Sequence, residues 1–191
     1  MALIDRIIKY ERGVFMDIKT SLIGYTREKA VKAAYELGYQ YELKAHYCPQ
    51  ASLAALMDVF HMKDDTLFKS VFGFHGGGGD SGFGICGALA GGIVSISYLF
   101  GRTRQEFDLT IENKTATPLV KQLVDLFDNE FEGIRCRDCQ NKMFGREFDF
   151  WKEEEGKEFQ RLNGHEKCAV VVGTGASLAA GVIWDALHKM T

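Results

Sequence analysis

Apolar positions fall at helical spacing in segment after segment of this chain. Thr26 is a good cap for a helix over residues 27–37, with Gly38 placed to stop it. Cys48-Pro49 reads as a second entry, proline taking the first helical position ahead of Leu53, Leu56, Met57 and Phe60. Asp64 caps a third helix through Leu67, Phe68, Val71 and Phe72, which the glycine run from Gly76 ends. Residues 86–100 form a fourth, apolar nearly all round and therefore central. Residues 101–116, with Arg102, Arg104, Glu106 and Asp108, read as a charged loop. Thr117-Pro118 opens a fifth helix that buries Leu119, Val120, Leu123, Leu126, Phe127 and Phe131, and Gly133 closes it. Residues 144–167 are polar and carry no clear period. A sixth helix runs from about Cys168 to Lys189. Its small residues Gly173, Gly175, Ala176, Ala179, Ala180 and Gly181 suit close packing against the similarly small Ala88, Gly91 and Gly92. Both prolines of the chain stand at helix starts. The expected fold is all-α, a single helical domain of about six helices in which a Gly-rich loop leads into a central apolar helix.

The 191 residues suit one domain, and 46% apolar content is enough for a core. Net charge is −3, which gives no footprint for nucleic acid or an anionic membrane. Residues 1–12 are charged throughout and lack the apolar centre of a secretory signal. Only the last helix approaches the length of a membrane span, and it carries Gly, Thr and Ser. The expectation is a cytoplasmic protein, where five cysteines read as metal ligands or redox thiols rather than as structural disulfides. The plain alternative for any one of them is a small buried hydrophobe.

Cys86 is the most telling of the five. It stands where the glycine run Gly76 to Gly84 becomes apolar helix, and helix-start amides favour the thiolate that binds metal or attacks a disulfide. The same run contains two G-x-G-x-x-G matches, Gly77/Gly79/Gly82 and Gly82/Gly84/Gly87, with no strand or βαβ unit around them. Their expected use is steric, letting backbone amides come close to a ligand such as cluster sulfur. Val170-Val171-Val172-Gly173-Thr174-Gly175 imitates a dinucleotide turn, with too few residues after it to complete the unit.

Cys136-Arg137-Asp138-Cys139 is a single C-x-x-C, without the βαβ setting of a thioredoxin or the second pair of a zinc knuckle. Arg135 and Arg137 flank Cys136 and offer to lower its pKa, but a solvated helix end is the plainer reading. His165 precedes Cys168 by three residues and is a candidate substitute ligand, though a surface histidine is the plainer reading there too. His46, His61, His75 and His188 show no ligand pattern.

The order of features resembles one family. Cys48-Pro49-Gln50-Ala51 heads a helix; Cys86-Gly87-Ala88-Leu89-Ala90-Gly91 follows a Gly-rich loop; Cys136 follows an apolar helix; Cys168 heads the last one. This resembles the C-GCAxxG-C-C family, to which redox activity is ascribed, and a related domain in split-Soret cytochromes, where four such cysteines accompany an iron–sulfur centre. The resemblance covers residues 44–191 as a redox domain and leaves residues 1–43 as an N-terminal helical extension. It implies that Cys48, Cys86, Cys136 and Cys168 are the metal-binding positions, with Cys139 an extra. No Cys-x-x-Cys-His occurs, so attached haem is not implied.

The resulting expectation is a [2Fe–2S] cluster on four thiolates, serving electron transfer or redox sensing, with the amides of Gly84 and Gly87 hydrogen-bonded to sulfur. Two alternatives stand beside it. One is a metal-free thiol oxidoreductase cycling Cys136 with Cys139, or Cys48 with Cys86. The other is structural zinc. The expected partner is a redox protein, with no nucleic acid and no membrane, and a homodimer through an apolar helix face.

Overall fold

Small residues set the centre of this fold. The computed structural model describes residue 22 and residues 24–189. Among them the regular elements are helices: α1 (Arg27–Ala45), α2 (Cys48–Val59), α3 (Asp65–Ser70), a 3-10 stretch over Phe72–Gly77, α4 (Gly87–Phe100), α5 (Arg104–Asp108), α6 (Ala116–Phe131), α7 (Cys136–Phe144), α8 (Glu153–Arg161) and α9 (Gly164–Lys189). No strand occurs among the described residues, and Ile85 and Arg135 meet in one isolated antiparallel bridge.

Helix α9 is the axis, with α1, α2, α4 and α6 packed around it. It is long and apolar enough to cross a membrane, but 72% of that apolar window is buried inside the domain, as in a core helix. The expected small-on-small contact with α4 is present. A Cβ placed on Gly175 would lie 3.1 Å from Ala88 Cβ, and one on Gly92 would lie 2.9 Å from Ala179 Cβ. Backbones therefore approach where larger side chains would hold them apart, and Leu123, Phe127, Ile96 and Ile183 fill the remaining interior.

Several expected boundaries move. Thr26 does cap α1, its side chain accepting from the Lys29 amide. Gly38, however, does not stop the helix; α1 runs on to Ala45. The glycine serves packing, since a Cβ there would sit 3.3 Å from both Ala176 Cβ and the Val172 carbonyl. Ala30, Ala34, Gly38 and Glu42 form one buried stripe at intervals of four, so α1 belongs to the same core as the later helices. Residues 1–21 of the expected extension lie outside the described residues. Helix α3 ends at Ser70, earlier than the pattern suggested, and the chain tightens into the 3-10 stretch. The charged segment after Gly101 contains α5, fixed by reciprocal bonds between Thr103 and Glu106. Leu126 of α6 is exposed rather than buried. Helix α8 occupies part of the unassigned polar stretch, and α9 begins four residues before Cys168.

Candidate thiol-lined redox site

Three of the five cysteines begin helices. Cys48 is the first residue of α2, Cys86 the N-cap of α4 and Cys136 the first residue of α7. Cys168 lies one turn inside α9 rather than at its head. The glycine loop joins two of these starts: the Cys86 amide donates to the Ile134 carbonyl at 2.8 Å, and the Cys136 amide donates to the Gly84 carbonyl at 3.0 Å. Gly77, at φ +79°, makes the crossing close, for a Cβ there would come within 2.9 Å of Cys136 Cβ. The Gly84 amide donates to the Gly77 carbonyl at 2.9 Å, so it is engaged in the loop and is not the sulfur donor expected of it.

Cys48, Cys136 and Cys168 line one cavity of about 210 Å³. Glu42, His46, His75, His165 and Gln140 face it as well. The Gln140 side-chain amide donates to Cys136 Sγ at 3.3 Å, while its oxygen accepts from the Phe148 amide at 2.7 Å. The His46 and His165 rings lie 3.8 Å apart. His75 Nε2 donates to the His46 carbonyl at 3.0 Å, and its Nδ1 is 2.8 Å from Asp80 Oδ1. Phe150 and Phe159, packed edge to face at 5.0 Å, close another side. A larger groove of about 520 Å³ adjoins at Asp80 and carries no thiol.

Cys86 does not line this cavity. It is buried behind it, and its thiol shares a hydrogen bond with that of Cys139. All five thiols are free. Burial pushes Cys48 and Cys168 well above the ordinary thiol range, and the neighbouring sulfurs and Glu42 push them further. Burial likewise raises Cys136 to about 12, against which the Gln140 bond acts. The helix-start argument for a Cys86 thiolate is outweighed. The Ala88 and Leu89 amides do pull its pKa down, but the Cys139 bond and burial lift it well above its usual value. Nor do the two arginines tune Cys136: Arg135 is tied to Asp138 at 2.7 Å, and Arg137 stacks on Phe83 at 4.1 Å. Metal binding at this site therefore has to displace protons from the thiols.

Glu42 is another buried group without compensation. It is 3% exposed, its Oε2 has no hydrogen-bond partner, and burial raises its pKa to about 7. Among the described residues no three His, Cys, Asp or Glu side chains converge closely enough to hold a single metal ion.

Residues 46–182 match the family described as "Putative redox-active protein (C_GCAxxG_C_C)". The chain belongs to this family. No curated protein and no solved structure matches it. The matched range contains the motif Cys86-Gly87-Ala88-Leu89-Ala90-Gly91 on which the resemblance rested. Position 87 points at the cavity: a Cβ on Gly87 would lie 2.3 Å from Cys48 Sγ. Position 86 points away from it, toward Cys139.

Glu42, His46, His75 and Gln140 had no place in the sequence reading, and His165 had the weaker one. Signals for some of them exist. Glu42 continues the Ala30, Ala34, Gly38 stripe, and Gln140 follows Cys136 by one helical turn. His46 stands two residues before Cys48, a proximity that spacing rules for helices do not weigh.

Proposed function

We propose that this redox-family protein binds an iron–sulfur cluster, [2Fe–2S] in the simplest form, through Cys48, Cys86, Cys136 and Cys168, and uses it in electron transfer or redox sensing. The observation that carries the reading is the shared cavity: three sulfurs from three separate segments face it, and the fourth lies directly behind. Cys86, Cys136 and Cys168 each raise the pKa of Cys48 through space, and Cys86 also raises those of Cys136 and Cys168, so all four occupy one electrostatic neighbourhood. Soft thiolates select iron–sulfur centres or zinc over hard cations. The spread of the ligands favours a polynuclear centre, which spans more space than one zinc ion with sulfurs at about 2.3 Å. When bound, such a cluster supplies one-electron chemistry. Gln140 would hold Cys136 in orientation, the Ala88 and Leu89 amides would stabilise charge on Cys86, and Phe150 and Phe159 would limit water.

The test is anaerobic purification followed by iron, zinc and acid-labile sulfide analysis. About two irons and two sulfides per chain are expected for the four-cysteine cluster. Zinc without sulfide would assign the site to structural metal instead. A metal-free, colourless protein would leave the dithiol reading, which the contact between Cys86 and Cys139 favours. Cys48→Ser and Cys168→Ser are each expected to lose the iron while the helical circular dichroism persists.

A further inference from the structure

We propose that Cys86 and Cys139 form a redox-active dithiol that closes to a disulfide on two-electron oxidation and so withdraws Cys86 from the cavity thiols. The withdrawal rests on the cluster reading; the disulfide itself does not.

The geometry is backbone geometry first. The Cys86 amide hangs on the Ile134 carbonyl at 2.8 Å, and the Cys139 amide hangs on the next carbonyl, Arg135, at 3.2 Å. The Ile85–Arg135 bridge locks the same two segments side by side. Successive carbonyls thus hold both cysteines, and their thiols already share a hydrogen bond. Oxidation replaces that hydrogen bond with a disulfide of about 2.05 Å. The expected C-x-x-C partnership is broken: Cys136 points into the cavity under Gln140, whereas Cys139 turns into the apolar core beside Cys86. Cys86 stands one residue before Gly87, whose Cβ position meets Cys48 Sγ, and its own sulfur lies against Cys139.

The pair is 6% and 5% exposed, which restricts the oxidant to a small hydroperoxide. Cys86 is the attacking sulfur: it heads α4, where the Ala88 and Leu89 amides point at it and receive the charge that develops as its proton leaves. It attacks one peroxide oxygen and the O–O bond breaks. The far oxygen leaves as water with the thiol proton, and Cys86 becomes a sulfenic acid. Cys139 sulfur then attacks Cys86 sulfur. The S–O bond breaks, and the hydroxyl leaves as a second water with the Cys139 proton. Two thiols give up two electrons and two protons, and one hydrogen peroxide becomes two waters.

The experiment treats anaerobically purified protein, as isolated and after chelator, with one equivalent of hydrogen peroxide, then alkylates, digests and maps the thiols by mass spectrometry. The expected product is a cross-link between the peptides of Cys86 and Cys139, reversed by dithiothreitol. In Cys139→Ala, with Cys139→Ser as the second variant should alanine fail to fold, the cross-link is absent and dimedone labels Cys86. A cross-link of Cys136 to Cys139, or of Cys48 to Cys86, overturns the proposal. So does full alkylation of both Cys86 and Cys139 after peroxide is consumed. Iron and sulfide separate this idea from the cluster reading. A disulfide in a protein that never held iron leaves this inference standing and ends the other; an iron-loaded protein whose stripped form makes no such cross-link does the reverse.

Discussion

Gly91 is where α4 comes closest to α2, and replacing it with alanine tests whether the site depends on that approach. The new Cβ would lie 2.8 Å from the Leu53 amide nitrogen, 2.8 Å from the Pro49 carbonyl oxygen and 2.7 Å from Ser52 Cβ. Two of these are backbone atoms one and five residues beyond Cys48, so no flexible side-chain end can yield. Alanine is intrinsically the better helix former by about 1 kcal/mol. Overpacking in a well-filled core costs about 1–3 kcal/mol, and contact with backbone belongs at the upper end. The net expectation is a loss of roughly 1–2 kcal/mol or more, read as a lower urea midpoint at unchanged slope. Gly156→Ala supplies the contrast. Gly156 is helical and has nothing within 4 Å of its would-be Cβ. That variant is expected to gain about 0.5–1 kcal/mol. Equal or greater stability in Gly91→Ala would refute the argument that backbone proximity, rather than helix propensity, governs this position.

The Glu42 carboxyl, raised from 4.5 to about 7, makes stability depend on pH. The folded state holds its proton more tightly than the unfolded chain, so this contribution is complete below about pH 4.5 and is lost as pH rises through 7. The gap corresponds to about 3 kcal/mol. Glu42→Gln is therefore expected to unfold at higher urea than wild type at pH 8 and to differ little at pH 5; an equal gain at both pH values would rule the carboxyl out as the cause. Gln140→Ala strands the buried Phe148 amide and is expected to lose about 1–3 kcal/mol in chemical unfolding. Ser52→Ala removes the 2.8 Å bond to the Ala88 carbonyl that ties α2 to α4, with an expected loss of about 1 kcal/mol by the same measurement.

Helical period and small-residue spacing made the architecture legible. The stripe on α9 and its counterpart at Ala88 and Gly92 gave the central contact, because close helix packing needs absent side chains at regular intervals. Gly38 misled for the same reason: a glycine inside a buried stripe and a glycine after a helix are the same letter, and only the partner helix distinguishes them. At the site, local rules named the cysteines and their helix-start positions. They could not show that Cys136 and Cys139 diverge, since a first-turn residue and one three positions later face different neighbours once α7 docks. Neither could they anticipate that His46, His75 and His165 come together, since these arise from a helix end, a glycine loop and another helix start. Those three meet only through tertiary packing.

The paired amide bonds at the glycine loop, Cys86 to Ile134 and Cys136 to Gly84, carry one more implication. They cross-stitch chain segments some fifty residues apart with a reciprocal stitch, so neither cysteine-bearing helix can loosen at its head without freeing the other. Hydrogen exchange at those two amides should accordingly rise and fall in unison, a shared clock for the opening of the sulfur-bearing end of the molecule.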